Sequence, residues 1–322
     1  MRQLAERFRK WQNLVQIAFF VVSGGLAVRV MYGNWNAIAH YGWRLDWISL
    51  TVSCLLLSTA FACGVSGWHL LMGSLVGSKS FRDTAEAWFA SQLAKYLPVG
   101  TVWQILSRAL LQQQYGVAKS KTMVVALLEM GIYTITALMV YAISFSVSGN
   151  SRWLWLLPFI LLVVAIGLFI LLPPVFSRLL RWVSGGLHLE DIVVTYSFGD
   201  LGIWLLSYSL LWIVTGSGFF FLVRSVIQIP ADDYVTLVGI FALSAAAGYL
   251  VIFVPRGLLI REAAIALLLS SYMPPSVAVA ISILARLWYT TVELVTVGLV
   301  VLSLHLLCSR RQSVAGHRIA PR

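Results

Sequence analysis

The sequence predicts an all-α polytopic membrane protein, with about six full spans plus two re-entrant helical hairpins arranged as an inverted internal repeat. Three observations carry this. Hydrophobic residues make up 60% of the 322 and charged residues only 11%, with a mean hydropathy of +0.87; no soluble core buries that much apolar surface. The apolar pattern is broken by Pro-x-Gly at Pro98 and Gly100 and again at Pro255 and Gly257. These two regions also align at an offset of 157 residues, where 95–136 and 252–293 agree at 8 of 42 positions without a gap. Tyr115 meets Tyr272, Leu127 meets Leu284, Thr134 meets Thr291, and Glu129 falls on Arg286. Leucine and alanine matches arise easily in an apolar chain, so the Pro, Gly, Tyr and charge correspondences carry the case for a repeat.

The elements follow in order. Arg2, Arg7, Arg9 and Lys10 precede an apolar run over 14–28. A secretory signal is the competing reading, but the run ends in Arg29 and further spans follow, so a first span with a cytoplasmic N-terminus is expected. Trp35, Trp43 and Trp47 form an interfacial belt before a second span at 48–71. A basic loop with Lys79 and Arg82 follows. Residues 83–96, the Pro98 to Gly100 break and 101–115 then read as the first hairpin, each arm about half the ~20 residues of a crossing. A pair of surface helices is the plainer alternative. Spans are expected at 123–144, 153–172, 201–223 and 277–307, with the second hairpin over 236–272. Hydropathy alone would report seven or eight spans. The chain is one domain, 1–322, with repeat one at about 45–146, a basic linker at 173–195 and repeat two at about 200–307. The Lys/Arg bias places both termini inside and opens the two hairpins from opposite sides of the membrane.

Several functions are disfavoured. The net charge of +11 sits beside apolar runs, which suits membrane topology and anionic lipid rather than nucleic acid. Cys54, Cys63 and Cys308 have no metal spacing, and the five histidines do not cluster with acids, so no metal and no cofactor is expected. No Walker-type phosphate loop occurs.

Eight charges lie in the breaks or apolar stretches: Lys95, Arg108, Arg256, Arg261 and Arg286 against Glu129, Glu262 and Glu293. Each costs about 2.5–3.5 kcal/mol at a membrane centre, so they must pair or face water. Structural pairing of Glu129 with Arg286 across the repeats is expected, and Arg286 and Glu293 share a helix face. Five cations against three acids leave two positive charges for an anion. The helix starts after Gly100 and Gly257 add unpaired amides and dipole ends, so a phosphate or carboxylate site is expected there. Lys95, Gly100, Arg108, Arg256, Gly257, Arg261 and Glu262 are its candidate residues, with Glu129, Arg286 and Glu293 coupling charge.

At these residues the sequence resembles a known family. Leu97-Pro98-Val99-Gly100-Thr101-Val102-Trp103 with Arg108, Gly116 and Glu129 looks like the first motif of the lysylphosphatidylglycerol synthase transmembrane-region (flippase-like) family. Pro255-Arg256-Gly257-Leu258-Leu259-Ile260-Arg261-Glu262 with Pro275, Arg286 and Glu293 looks like its second. That motif usually reads Pro-Gly-Gly-x-Gly before x-Arg-Glu; Arg256 and Leu258 are read as replacing two glycines. The chain stops at Arg322 without the aminoacyltransferase domain of the best-known members. The resemblance therefore implies a stand-alone, non-enzymatic member that flips a polar-headed lipid between leaflets. Its partners would be membrane lipids with anionic or zwitterionic headgroups. The alternatives are a lipid transferase, or a scaffold for a separate lipid-modifying enzyme or glycosyltransferase.

Overall fold

The structure is a computed structural model that describes residues 35–77, 80–96, 101–148, 156–186, 195–250 and 259–317, with isolated positions between 25 and 33. The expected first span and both Pro-x-Gly tips, with Gly100, Arg256 and Gly257, lie outside the described residues. The described chain is helical: α1 Trp35–Ala39, α2 Trp47–Val76, α3 Phe81–Ala94, α4 Thr101–Gln114, α5 Lys119–Ser148 and α6 Leu157–Leu171. Then come α7 Pro173–Gly186, α8 Phe198–Val226, a 3₁₀ turn Ala231–Asp233, α9 Tyr234–Leu250, α10 Ile260–Leu269 and α11 Pro275–His317.

Five of these segments are long and apolar enough to cross a membrane: α2, α5, α8, Ala231–Leu250 and Pro275–Ser303 of α11. The chain is thus a multi-pass membrane protein. The arms flanking the first break, α3 and α4, are 14 residues each, short of a crossing as expected. The second break differs. Its first arm, the 20-residue segment Ala231–Leu250, is long enough to cross by itself. The linker differs too. Helix α6 stops at Leu171, and α7 leaves it at 74°, because Pro173 and Pro174 lack the amides that would continue α6. Residues 173–186, read as linker, are therefore helical. In α7, Phe176 and Leu180 pack on Val124 near the N-terminus of α5, while Arg178, Arg181 and Trp182 are exposed.

Local chemistry sets the helix starts. Asp46 caps α2, accepting from the Ile48 amide at 3.0 Å and the Ser49 hydroxyl at 2.6 Å. The Ser49 hydrogen bond holds the Asp46 carboxyl below its ordinary value. Ser197 and Asp200 form a reciprocal capping box at α8. Leu259 caps the start of α10, and its φ of 66° is in the left-handed region that favours glycine.

The core is built on α2 against α8 and on α5 against α9. Small residues let the backbones close. A Cβ on Gly216 of α8 would stand 2.8 Å from the Val238 Cα of α9, and one on Gly239 would stand 2.7 Å from the Ser144 Cβ of α5. Some polar groups bond between helices: Ser53 Oγ donates to the Gly218 carbonyl at 2.8 Å, and Trp212 Nε1 to the Tyr133 carbonyl at 2.9 Å. Phe159, Leu161, Leu162 and Phe169 of α6 are exposed, as a lipid-facing surface requires.

Candidate functional site

The intramembrane charges pair, but not as the repeat alignment suggested. Glu129 Oε2 accepts from Arg108 Nη1 at 2.5 Å, and Glu129 Oε1 accepts from the Tyr208 hydroxyl at 2.8 Å. Arg286 Nη1 donates to Glu262 Oε1 at 3.2 Å. The expected Glu129–Arg286 pair is therefore not formed. Each residue instead bridges to the short helix of its own half: Arg108 on α4 reaches Glu129 on α5, and Glu262 on α10 reaches Arg286 on α11. The physical reason is reach, since α4 packs against α5 and α10 against α11. The polarity is reversed between the halves, which is why position 129 is an acid where 286 is a base.

The bridge between halves is a different one. Lys95 at the end of α3 donates to Glu293 Oε1 on α11, and Tyr96 donates to Glu293 Oε2 at 2.7 Å. Side-chain exposure is 8% for Lys95 and 0% for Glu293. Arg108 is equally enclosed. Its Nε donates to Ser91 at 3.0 Å and its guanidinium lies 4.4 Å from the Trp68 ring.

Three pairs neutralise three of the five cations. Among the described residues of this set, Arg261 is the cation without a carboxylate within ion-pair distance. Its guanidinium lies between the rings of Phe241, at 4.5 Å, and Tyr289, at 4.6 Å. Its Nη2 is buried and has no hydrogen-bond partner. Glu262 Oε2 is likewise buried and unpartnered.

Arg261 lines a cavity that adjoins a second, larger one reaching Arg108, Glu129 and Tyr208. The two share walls formed by Lys95, Thr101, Gln104, Tyr133, Tyr249 and Tyr289. The structure thus brings Lys95, Arg108, Glu129 and Arg261 to one cavity system, fed by both halves of the chain. Glu262, Arg286 and Glu293 stand behind its walls as partners or neighbours. Among the described residues no cluster of His, Cys, Asp or Glu could hold a metal.

A model of the lysylphosphatidylglycerol synthase TM region matches residues 14–303. The chain belongs to this family. No curated protein matches the sequence. Counting the resembled pattern Pro-Gly-Gly-x-Gly before x-Arg-Glu from Pro255 puts its last glycine at Leu259, not Leu258, and Leu259 has a positive φ. A leucine here holds a backbone shape that glycine adopts without strain.

Sequence reasoning missed the aromatic and amide walls, Tyr133, Tyr208, Tyr249, Tyr289, Gln92 and Gln104. A signal existed. Tyr133, Tyr208 and Tyr289 lie well inside apolar spans, away from the interfaces where tyrosine usually gathers, and a phenol there needs a polar partner.

Proposed function

We propose that the cavity receives the phosphate-bearing headgroup of a membrane lipid and that the protein carries this lipid between leaflets. The observation that carries the reading is Arg261, a guanidinium held between two rings with a buried, unpartnered Nη2 at the wall of a cavity. A planar guanidinium with unused donors is suited to phosphate, and it is costly to leave empty in an apolar surround. Arg256 and the helix starts after both breaks would add to the same field. Acyl chains would remain among the exposed apolar side chains while the headgroup travels through the polar interior. Exposure of the cavity to alternate sides would follow from movement of the two halves about the Lys95–Glu293 bridge. The protein would work in a bacterial inner membrane with both termini cytoplasmic.

The reading includes no bond-breaking step. Glu129 and Glu262, the carboxylates a transferase would use as bases, are each engaged by an arginine, which favours binding over catalysis. The test is reconstitution in liposomes with acyl-labelled phospholipids, scoring leaflet exchange by an impermeant quencher. Arg261→Gln should keep the fold and lose exchange. Stable Arg261→Gln protein that exchanges lipid at the unsubstituted rate removes Arg261 from the mechanism. If the unsubstituted protein binds lipid but exchanges none, a scaffold for a separate lipid-modifying enzyme replaces transport.

A further inference from the structure

We propose that the cavity selects lipids whose phosphate bears a neutral, hydroxylated group, such as glycerol, inositol or a sugar, and disfavours ammonium-bearing headgroups. This deepens the lipid reading above and rests on it. The first ground is charge. Glu129 is engaged at both oxygens, by Arg108 and Tyr208, and Glu293 at both, by Lys95 and Tyr96. Glu262 keeps an unpartnered oxygen but does not line either compartment. An ammonium entering the cavity would meet the walls of Lys95, Arg108 and Arg261 with no uncompensated carboxylate among the described lining residues. Desolvating a cation without a counter-charge is strongly unfavourable.

The second ground is a pair of amides. Lys95 Nζ donates to Gln92 Oε1 at 2.6 Å, and Gln104 Nε2 donates to the same oxygen at 3.0 Å. An ammonium can only donate, so Lys95 fixes which end of Gln92 faces it, and Gln92 in turn fixes Gln104. Two groups remain on the wall, the Gln92 Nε2 donor and the Gln104 Oε1 acceptor. Neither has a partner among the described residues, and both side chains line the larger compartment. A donor beside an acceptor is the complement of a hydroxyl, which offers one of each. A quaternary ammonium can use neither.

The third ground is placement. Gln104 lines both compartments, as do the rings of Tyr133, Tyr249 and Tyr289, so the amides adjoin the Arg261 site. A phosphate on Arg261 would place its ester substituent toward them. Aromatic walls also attract cations, so a choline headgroup is the strongest competitor and belongs in the test.

The experiment measures binding of short-chain lipids to the full-length protein in mild detergent, by ligand-induced thermal shift and native mass spectrometry. The panel is phosphatidylglycerol, phosphatidylinositol, phosphatidylethanolamine, phosphatidylcholine and lysylphosphatidylglycerol. A polyprenyl phosphohexose separates sugar phosphates from glycerophospholipids as the source of the headgroup. Phosphatidylglycerol or phosphatidylinositol, or the phosphohexose, should bind about tenfold tighter than the ammonium lipids, the scale of one hydrogen bond and a charge mismatch. Gln104→Leu should remove most of that preference. Gln104→Glu, which adds an uncompensated carboxylate, should shift preference toward lysylphosphatidylglycerol, so a gain is read as well as a loss. Equal or tighter binding of any ammonium lipid by the unsubstituted protein overturns the inference. So does an unchanged preference in both Gln104 variants, or no binding across the panel. Preference in binding without leaflet exchange would remove transport and leave the selectivity. Exchange without preference would do the reverse.

Discussion

Replacing Glu129 by Gln isolates the pairing that the structure substitutes for the one expected from the repeat. In the native protein Arg108 is 4% exposed and Glu129 14% exposed along their side chains. Removing one partner of a buried pair costs about 3–5 kcal/mol, because the other charge stays buried. Two features reduce the cost here. The amide oxygen still accepts from Arg108, and the Trp68 face at 4.4 Å still attracts the guanidinium. A desolvated cation–π contact is worth about 2 kcal/mol, so the net loss should be about 2–3 kcal/mol. Reversible unfolding in mixed detergent micelles, titrated with SDS, reads this as a free energy. In a double-mutant cycle with Arg108→Met, the coupling should be about 1–3 kcal/mol. The cycle of Glu129→Gln with Arg286→Met should be additive within about 0.5 kcal/mol. Strong coupling of Glu129 to Arg286, with none to Arg108, would refute the pairing and restore the cross-repeat pair.

Lys95→Met should destabilise by about 3–5 kcal/mol, because it removes the cation facing a fully buried Glu293, and Glu293→Gln in the same chain should recover a large part of the loss; the same SDS titration checks both. Burial first, and the nearby Glu86 carboxylate second, push the Tyr115 phenol up from 10.0 to about 12. With the folded value above the unfolded one, this contribution is intact below pH 10 and is lost as pH rises toward 12. Tyr115→Phe should flatten that part of a pH–melting-temperature profile, and an unchanged profile would exclude Tyr115 as its source. For topology, single cysteines at Ser148 and Asp232 in a background lacking Cys54, Cys63 and Cys308 should react with an impermeant thiol reagent outside, while one at Ser120 should not. Outside labelling at position 120 would invert the scheme.

Helix positions were legible because they are written locally. The Pro98 to Gly100 break falls between α3 and α4 in the sequence, and the apolar runs give α2, α5 and α8 within five residues and the start of α11 within two. Helix α7 was not legible because Pro173 and Pro174 look like a stop. They end α6 but also provide a favourable first turn for the next helix. The identity of the charged residues was legible from cost alone, since a cation in an apolar run demands a partner. Which partner was not legible. Arg108 and Glu129 meet through the packing of α4 on α5, and Lys95 and Glu293 are 198 residues apart. The cavity wall was invisible for the same reason: Gln92, Gln104, Tyr133, Tyr249 and Tyr289 come from five helices, and no short stretch of sequence contains two of the rings.

The Lys95–Glu293 bridge has no twin. On the 157-residue offset, Lys95 corresponds to Ile252 and Glu293 to Thr136, so the reciprocal pair would be an isoleucine facing a threonine. Two copies of the first half, brought together as separate chains, would offer each buried Lys95 a hydroxyl where a carboxylate is needed. Two copies of the second half would strand two glutamates. The bridge therefore belongs to the whole chain and to neither half.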